Sequence, residues 1–275
     1  MRIFFLGTGA AEGIPALFCG CALCREAGRR GGRDLRMRTS ALAGGLVRID
    51  LPPDTLAQTH RYPEQPLAEI EHLLFTHSHD DHFAPRELQY LSPNFAPQRT
   101  KPLQIWLTEE CRDRICAESR RFFEKAPLKM RIVEPERTYR VGPLWVTPFA
   151  ANHSPSERCL NFLLADVMGG EEFLYGSDTG WYTGTTWDFL ATRRLRGAVM
   201  ECGKGISENP YAGHLSLSEC AAVKTRLHQS GSLPANAPFF LTHFSHTGLL
   251  LHDALTERAA PLGMTVAHDG LEVEV

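Results

Sequence analysis

The sequence predicts an α/β sandwich, two packed sheets with helices outside and the chemistry at the loop edge of the strands. Short apolar strands alternate with helices in two halves of the chain. Each candidate functional cluster sits just past the end of one of those strands, which is how sites carried by a rigid sheet are built. The 275 residues are long for one domain but within range for a single sandwich spanning 1–275, and 43% apolar content is enough for a real core. No internal repeat at a solenoid period and no low-complexity run is evident.

The elements are expected in the following order. Met1 to Leu6 is a β-branched and aromatic strand running into Gly7-Thr8-Gly9-Ala10. This glycine turn allows close backbone approach to a site. A phosphate-cradling loop is the rival reading, but no G-K-[ST] follows. Strands are expected at Ser40–Ile49, Glu71–Phe75 and Leu103–Leu107, with helices from Arg86 and from Glu109. In the second helix Cys111, Ile115 and Phe122 fall on one face. The second half has strands at Leu128–Val133, Leu144–Phe149, Leu160–Ala165, Phe173–Tyr175 and Arg196–Glu201, a helix near Thr185, and the capping box Ser216-Leu217-Ser218-Glu219. Pro52 to Gln65 reads as a loop near the site. The six arginines from Arg25 to Arg38 read as a solvated loop, or else as an electropositive lip that steers an anion.

Composition excludes several classes. A net charge of −3 gives no global pull toward nucleic acid or a membrane surface. No apolar stretch approaches the roughly 20 residues of a membrane span. The apolar segment Ile3–Leu6 is too short for a signal h-region of about 7–15 residues, so a cytoplasmic location is expected. Eight cysteines in a chain of this size are not a small disulfide framework.

The most specific signal is Thr76-His77-Ser78-His79-Asp80-Asp81-His82, directly after the apolar Leu73-Leu74-Phe75. A strand that stops at Thr76 and breaks into a tight loop can aim His77 and His79 at one point and Asp81 and His82 at a neighbouring one. Imidazole and carboxylate are ligands that Zn, Fe and Mn accept. Three further segments follow strands in the same way: Asn152-His153-Ser154, Gly176-Ser177-Asp178-Thr179-Gly180 and Leu241-Thr242-His243.

Cys19-Gly20-Cys21-Ala22-Leu23-Cys24 places three thiols at a spacing that suits a tetrahedral structural Zn needing one further ligand. His246 is the expected fourth, turned away from the active site on the loop that carries His243. Such a zinc would pin the N-terminal loop to that loop. Cys111, Cys116, Cys159, Cys202 and Cys220 are expected to be buried free thiols.

Taken together, these residues resemble the metallo-β-lactamase superfamily from Gly7 to the C-terminus. The resemblance implies an αββα four-layer sandwich and two active-site divalent ions, Zn, Mn or Fe. It implies that His77, His79 and His153 hold one ion, that Asp81, His82 and His243 hold the second, and that Asp178 bridges them. The segment Gly9 to Cys24, with the later Thr242-His243-Phe244-Ser245-His246, is similar to the PhnP-like cyclic phosphodiesterases. Ile49-Asp50-Leu51-Pro52-Pro53-Asp54 also resembles their Ile-Asp-x-Gly-Pro-Asp segment but has Pro52 where glycine is usual. Asp50 is expected to hydrogen-bond a ligating histidine.

The expected activity is hydrolysis of small cyclic or nucleotide-like phosphate diesters by a hydroxide held between the two ions. Asp178 and Asp81 would orient it, and His214, in Gly213-His214-Leu215-Ser216, would contact substrate and act as general acid. The alternatives are a lactonase, thioesterase or β-lactamase using the same metals, and a non-hydrolytic PqqB-like cofactor-biosynthesis protein, against which the intact His77–His82 motif argues. The expected partner is a small anionic substrate, with no membrane. Acidic charge and the lack of a long inserted arm argue against nucleic acid. A homodimer is compatible with the resemblance.

Overall fold

The structure, a computed structural model, describes residues 1–65, 67–118 and 126–275. The strands are β1 (Arg2–Gly7), β2 (Ser40–Ala43), β3 (Val47–Ile49), β4 (His72–Leu74), β5 (Leu103–Leu107), β6 (Leu128–Ile132), β7 (Tyr139–Val141), β8 (Leu144–Ala150), β9 (Leu160–Asp166), β10 (Glu172–Gly176), β11 (Leu195–Glu201), β12 (Phe239–Thr242), β13 (Thr265–Val266) and β14 (Glu272–Glu274). The helices are α1 (Ala22–Arg30), α2 (Thr55–Arg61), α3 (Glu109–Glu118), α4 (Gly184–Ala191), α5 (Leu217–Gln229) and α6 (His252–Ala259). Among the described residues the strands form two seven-stranded sheets, ordered β14-β1-β2-β3-β4-β5-β6 and β13-β12-β11-β10-β9-β8-β7.

Alternation along the strands explains the layers. Val47 and Ile49 of β3 face the layer between the sheets, where they join Phe5, Phe162, Tyr175 and Val199. The outer face of the second sheet packs on α4, α5 and α6 through Leu190, Val223, Leu227 and Leu255. The outer face of the first sheet packs Leu73 and Ile105 with Cys111 and Ile115 of α3. The result is the expected αββα order. Among the described residues no helix is long and apolar enough to cross a membrane.

Several local expectations are corrected. Ser40–Ile49 is a hairpin, because Gly44 and Gly45 take φ of +57° and +77° and pair Ala43 with Val47. The segment from Arg25 is helical as far as Arg30, its start capped by the Cys21 sulfur, which accepts the Cys24 N–H. Pro52–Gln65 contains α2, whose Thr55 and Gln58 are buried. The helix expected from Arg86 is a 3-10 run over Pro85–Leu91. β7, β13, β14 and α6 were not anticipated. Cys111, Cys159, Cys202 and Cys220 are buried thiols, but Cys116 is exposed, next to the inward-facing Ile115. Phe122 lies outside the described residues.

The glycine turn after β1 threads between two neighbours. A Cβ on Gly7 would stand 2.0 Å from the Arg38 carbonyl oxygen, so only glycine fits. Gly9 N–H donates to Met37 O, and Phe244 N–H donates to Thr8 O. Asp269 fastens this crossing: it accepts from Thr8 N–H at 2.9 Å, Thr8 Oγ1–H at 2.7 Å and Met37 N–H at 2.7 Å. Asp269→Ala leaves the buried Thr8 N–H without an acceptor, at about 1–3 kcal/mol, and the part-buried Met37 N–H as well, at about 1 kcal/mol. Urea unfolding should therefore show a loss of about 2–4 kcal/mol, whereas a loss under about 0.5 would mean the crossing does not depend on this carboxylate.

Candidate metal centre

The expected ligands converge at the loop edge of both sheets. His77, His79 and His153 place ligating nitrogens within 4.8 Å of one another, and so do the ligating atoms of Asp81, His82, Asp178 and His243. Asp178, just past β10, reaches both groups. Its Oδ1 is 3.1 Å from His82 Nε2 and 3.1 Å from His243 Nδ1, while its Oδ2 is 3.5 Å from His153 Nε2 and 3.9 Å from His77 Nε2. One oxygen toward each group is the geometry of a bridging ligand. Asp81 Oδ2 lies 3.2 Å from His82 Nε2.

Neighbours outside the ligand set fix which nitrogen each ring presents. His82 Nδ1–H donates to Asp50 Oδ2 at 2.7 Å, and Asp50 also accepts from Thr76 N–H at 2.8 Å. The expectation for Asp50 therefore matches its placement. Asp50 sits at φ +60° and His243 at +57°, a conformation costly for non-glycine residues and concentrated at functional sites. His153 Nδ1–H donates to Gly213 O at 2.8 Å, which leaves Nε2 facing the pocket, 3.0 Å from His79 Nδ1. His79 Nε2 lies 3.5 Å from Glu157 Oε1, and Glu157 Oε2 accepts the Ser78 N–H at 2.9 Å.

This donor set fits divalent ions. Nε2 of both His77 and His82 is buried with no hydrogen-bond partner among the described residues. Burial opposes charge on His82, yet the carboxylates of Asp178, Asp81 and Asp50 outweigh it and raise its pKa well above the ordinary value. Burial also works against ionised Asp178, but His243 and His82 hold it well below the usual carboxylate range. Burial and the neighbouring His82 keep His77 neutral, and burial pushes His243 down to about 4. The carboxylates draw a positive charge onto His82 while His77 and His243 stay unprotonated, and a divalent ion would supply that charge in place of the proton.

The second expected cluster also assembles. Cys19, Cys21, Cys24 and His246 bring their ligating atoms within 4.8 Å of one another, with His246 Nδ1 3.7 Å from Cys19 Sγ and 3.6 Å from Cys21 Sγ. The Cys24 N–H, then His246, lower the Cys21 thiol to about 6, whereas burial raises Cys24 to about 11. Glu12 lies 3.7 Å from His246 Nε2 and also lines the active-site pocket.

His214 opens onto that pocket of about 260 Å³, with Tyr211 and Lys204 in its wall. Its Nδ1–H donates to Glu201 Oε1 at 2.8 Å. Burial opposes the charged ring, but Glu201 outweighs it and raises His214 to about 9. Glu201, the last residue of β11, also accepts from Gly203 N–H at 2.7 Å and Leu215 N–H at 3.1 Å. The sequence reading missed Glu201, although a carboxylate ending an apolar strand was a visible signal. It also missed Glu157, for which Ser154-Pro155-Ser156-Glu157 carries none. The arginines between Arg25 and Arg38 do not line the pocket. Arg29 and Arg30 pair with Glu26, Arg38 pairs with Asp54, and Arg36 is buried over Phe244.

A family profile described as "Beta-lactamase superfamily domain" matches residues 47–244, the span that carries His77 to His243. The chain belongs to the metallo-β-lactamase superfamily. This is a superfamily of metal-dependent hydrolases. A diphosphatase from the PhnP family has a similar structure, with TM-score 0.77, 21% identity and coverage of 100% of this chain and 97% of that one. Zn(2+)-bound PqqB from Methylobacterium extorquens is similar with TM-score 0.76, 18% identity and full coverage of both chains. A curated relative from Porphyromonas gingivalis named octanoyltransferase is 29% identical over 167 residues, which is 56% of this chain and 31% of the relative. The matched region thus spans under a third of that relative's length.

Removing the Glu157 carboxylate should loosen His79 without touching a ligand. Loss of such a partner typically costs about 10–100-fold in metal affinity. Chelator-competition titration of Glu157→Ala should show that loss in divalent-metal affinity. Unaltered affinity would remove Glu157 from the site.

Proposed function

We propose that this chain is a phosphodiesterase acting on small phosphate diesters, cyclic or nucleotide-like. The observation that carries the reading is the pair Glu201–His214. It places an imidazole in the same pocket as the ligand set, its ligating nitrogen within 4.8 Å of those of His153 and Asp178, with Nδ1 committed to Glu201. A phosphate ester with a poor leaving group needs such a proton donor. A pocket of about 260 Å³ suits a small substrate. The similar PhnP-family structure named a diphosphatase supports phosphorus chemistry.

When bound, the two ions supply Lewis acidity, activating a water and polarising the phosphoryl group. The chain's own residues do the rest. His77, His79 and His153 would hold one ion and Asp81, His82 and His243 the other, with Asp178 facing both groups, and Asp81 would accept a hydrogen bond from the attacking water. His214 donates its Nε2 proton to the leaving oxygen. Glu201 retains the Nδ1 proton and stabilises the imidazolium, so the acid is present at neutral pH.

A second reading, hydrolysis of a carboxylic ester, thioester or lactone, draws support from the relative named octanoyltransferase. The same ions serve both reactions. The discriminating panel is bis(p-nitrophenyl) phosphate, a ribose cyclic phosphate, 2′,3′-cyclic nucleotides, a lactone, a β-lactam and an octanoyl thioester. Turnover of the cyclic phosphates, abolished in His79→Ala, supports the phosphodiesterase. Turnover of the acyl substrates alone would replace it with the second reading.

The His214 role has its own test. His214→Ala should keep full metal content and lose about 10²–10⁴-fold on alkoxide leaving groups but far less on nitrophenolate. Equal losses on both substrates would reduce His214 to a binding contact.

A further inference from the structure

On the outer face of the first sheet, behind the metal centre, lies a cavity of about 490 Å³ that shares no lining residue with the active-site pocket. Its size falls in the range of small-molecule sites, about 300–1,000 Å³. The buried side chains of Leu73, Leu88 and Leu103 form its wall. At its rim Tyr90 and Phe95 are exposed and packed edge to face, with ring centroids 5.3 Å apart.

Two guanidinium groups interrupt this apolar lining. Arg48 of β3 is only 3% exposed. Its Nε donates to Asp50 O at 3.1 Å, and its Nη2 donates to Thr55 Oγ1 at 3.1 Å and to Gln58 Oε1. All of these acceptors are neutral. Arg99 donates to the carbonyls of Ala68 and Ile70, and its Nε is buried without a hydrogen-bond partner among the described residues. Among the described residues no carboxylate stands within ion-pair distance of either group. Glu87 is the one acidic residue among the described residues of the lining, and Asp50 and Glu71 act on Arg48 and Arg99 only from beyond ion-pair distance. A buried cation beside leucine is costly unless an anion compensates it.

We propose that this cavity binds a fatty acid, its alkyl tail against the leucine wall and its carboxylate at Arg48 and Arg99. An apolar body with one anionic end is what this lining complements. A neutral lipid would leave the guanidinium groups uncompensated, and a compact anion would leave the leucines and the aromatic rim without contact.

The test is calorimetric titration of metal-loaded protein with submicellar dodecanoate and, in parallel, dodecanol. One dodecanoate per chain is expected, about tenfold or more tighter than the alcohol because of the charge-assisted bonds. Arg99→Met, at a half-exposed position, should erase most of that preference with the far-ultraviolet circular dichroism spectrum unchanged. Ala96→Trp fills the cavity from its edge and should weaken dodecanoate about tenfold or more, with metal content and Tm unchanged. Equal binding of acid and alcohol would overturn the proposal. So would unchanged affinity in Ala96→Trp, which would put the carboxylate on the metal centre. Binding to phospholipid vesicles without binding of free dodecanoate would equally overturn it, making the face a membrane contact.

Discussion

Two carboxylates, Asp81 and Asp178, are buried among imidazoles at the edge of two sheets, and the surrounding structure is arranged around their need for a cation. Asp178 is 3% exposed and Asp81 8%, so water can do little for their charge. The histidines on either side are themselves buried, and protonating all of them would place like charges within a few ångströms. Divalent ions resolve both demands, since they neutralise the carboxylates and use the imidazole lone pairs. Asp178, with one oxygen toward each histidine group, links the two groups.

Convergence of this kind requires rigid delivery from distant parts of the chain. His77 follows β4, His153 follows β8, Asp178 follows β10 and His243 follows β12, so the two sheets must meet in one register for the set to close. The layer between the sheets fixes that register. Smaller devices correct the angles. Asp50 and His243 adopt left-handed backbone, the Thr8–Gly9 crossing packs against Phe244, and the thiol cluster reaches His246 three residues beyond His243. The strain and the crosslink fall on the same loop edge, where an error of an ångström would separate the ligands.

Much of this was legible in the sequence because the informative residues are local to strand ends. His-x-His-x-Asp-His after an apolar strand, and the later His153, Asp178 and His243, each announce themselves by residue type and position. The thiol spacing announces a cluster, and His246 follows from its loop. What stayed hidden depends on tertiary contact. Glu157 belongs to a polar segment whose pattern matches any surface loop, and only the fold brings it to His79. α1 and α2 were read as loops because their glycines, prolines and charges obscure the helical period, and docking of Cys24, Ala27 and Gln58 overrides weak propensity. Cys116 was placed inside because its helix reads as apolar on one side, and a one-residue rotation puts it in solvent.

The metal set by itself does not select a reaction, because the same ligands can serve phosphorus and carbonyl centres. Selection must come from groups that face the pocket without belonging to the set. His214 faces the pocket with its Nδ1 committed to Glu201, and its character depends on that carboxylate. Without that carboxylate a half-buried imidazole would titrate low and face the pocket neutral. Glu201 raises the ring to about 9 and holds its Nδ1–H, so the proton it can give up is on Nε2. An ester whose leaving group is already a weak base gains little from that proton, and a cyclic sugar phosphate gains a great deal. On the phosphodiesterase proposal, the arrangement would favour substrates whose leaving oxygen is an alkoxide, with Glu201 setting that preference through His214.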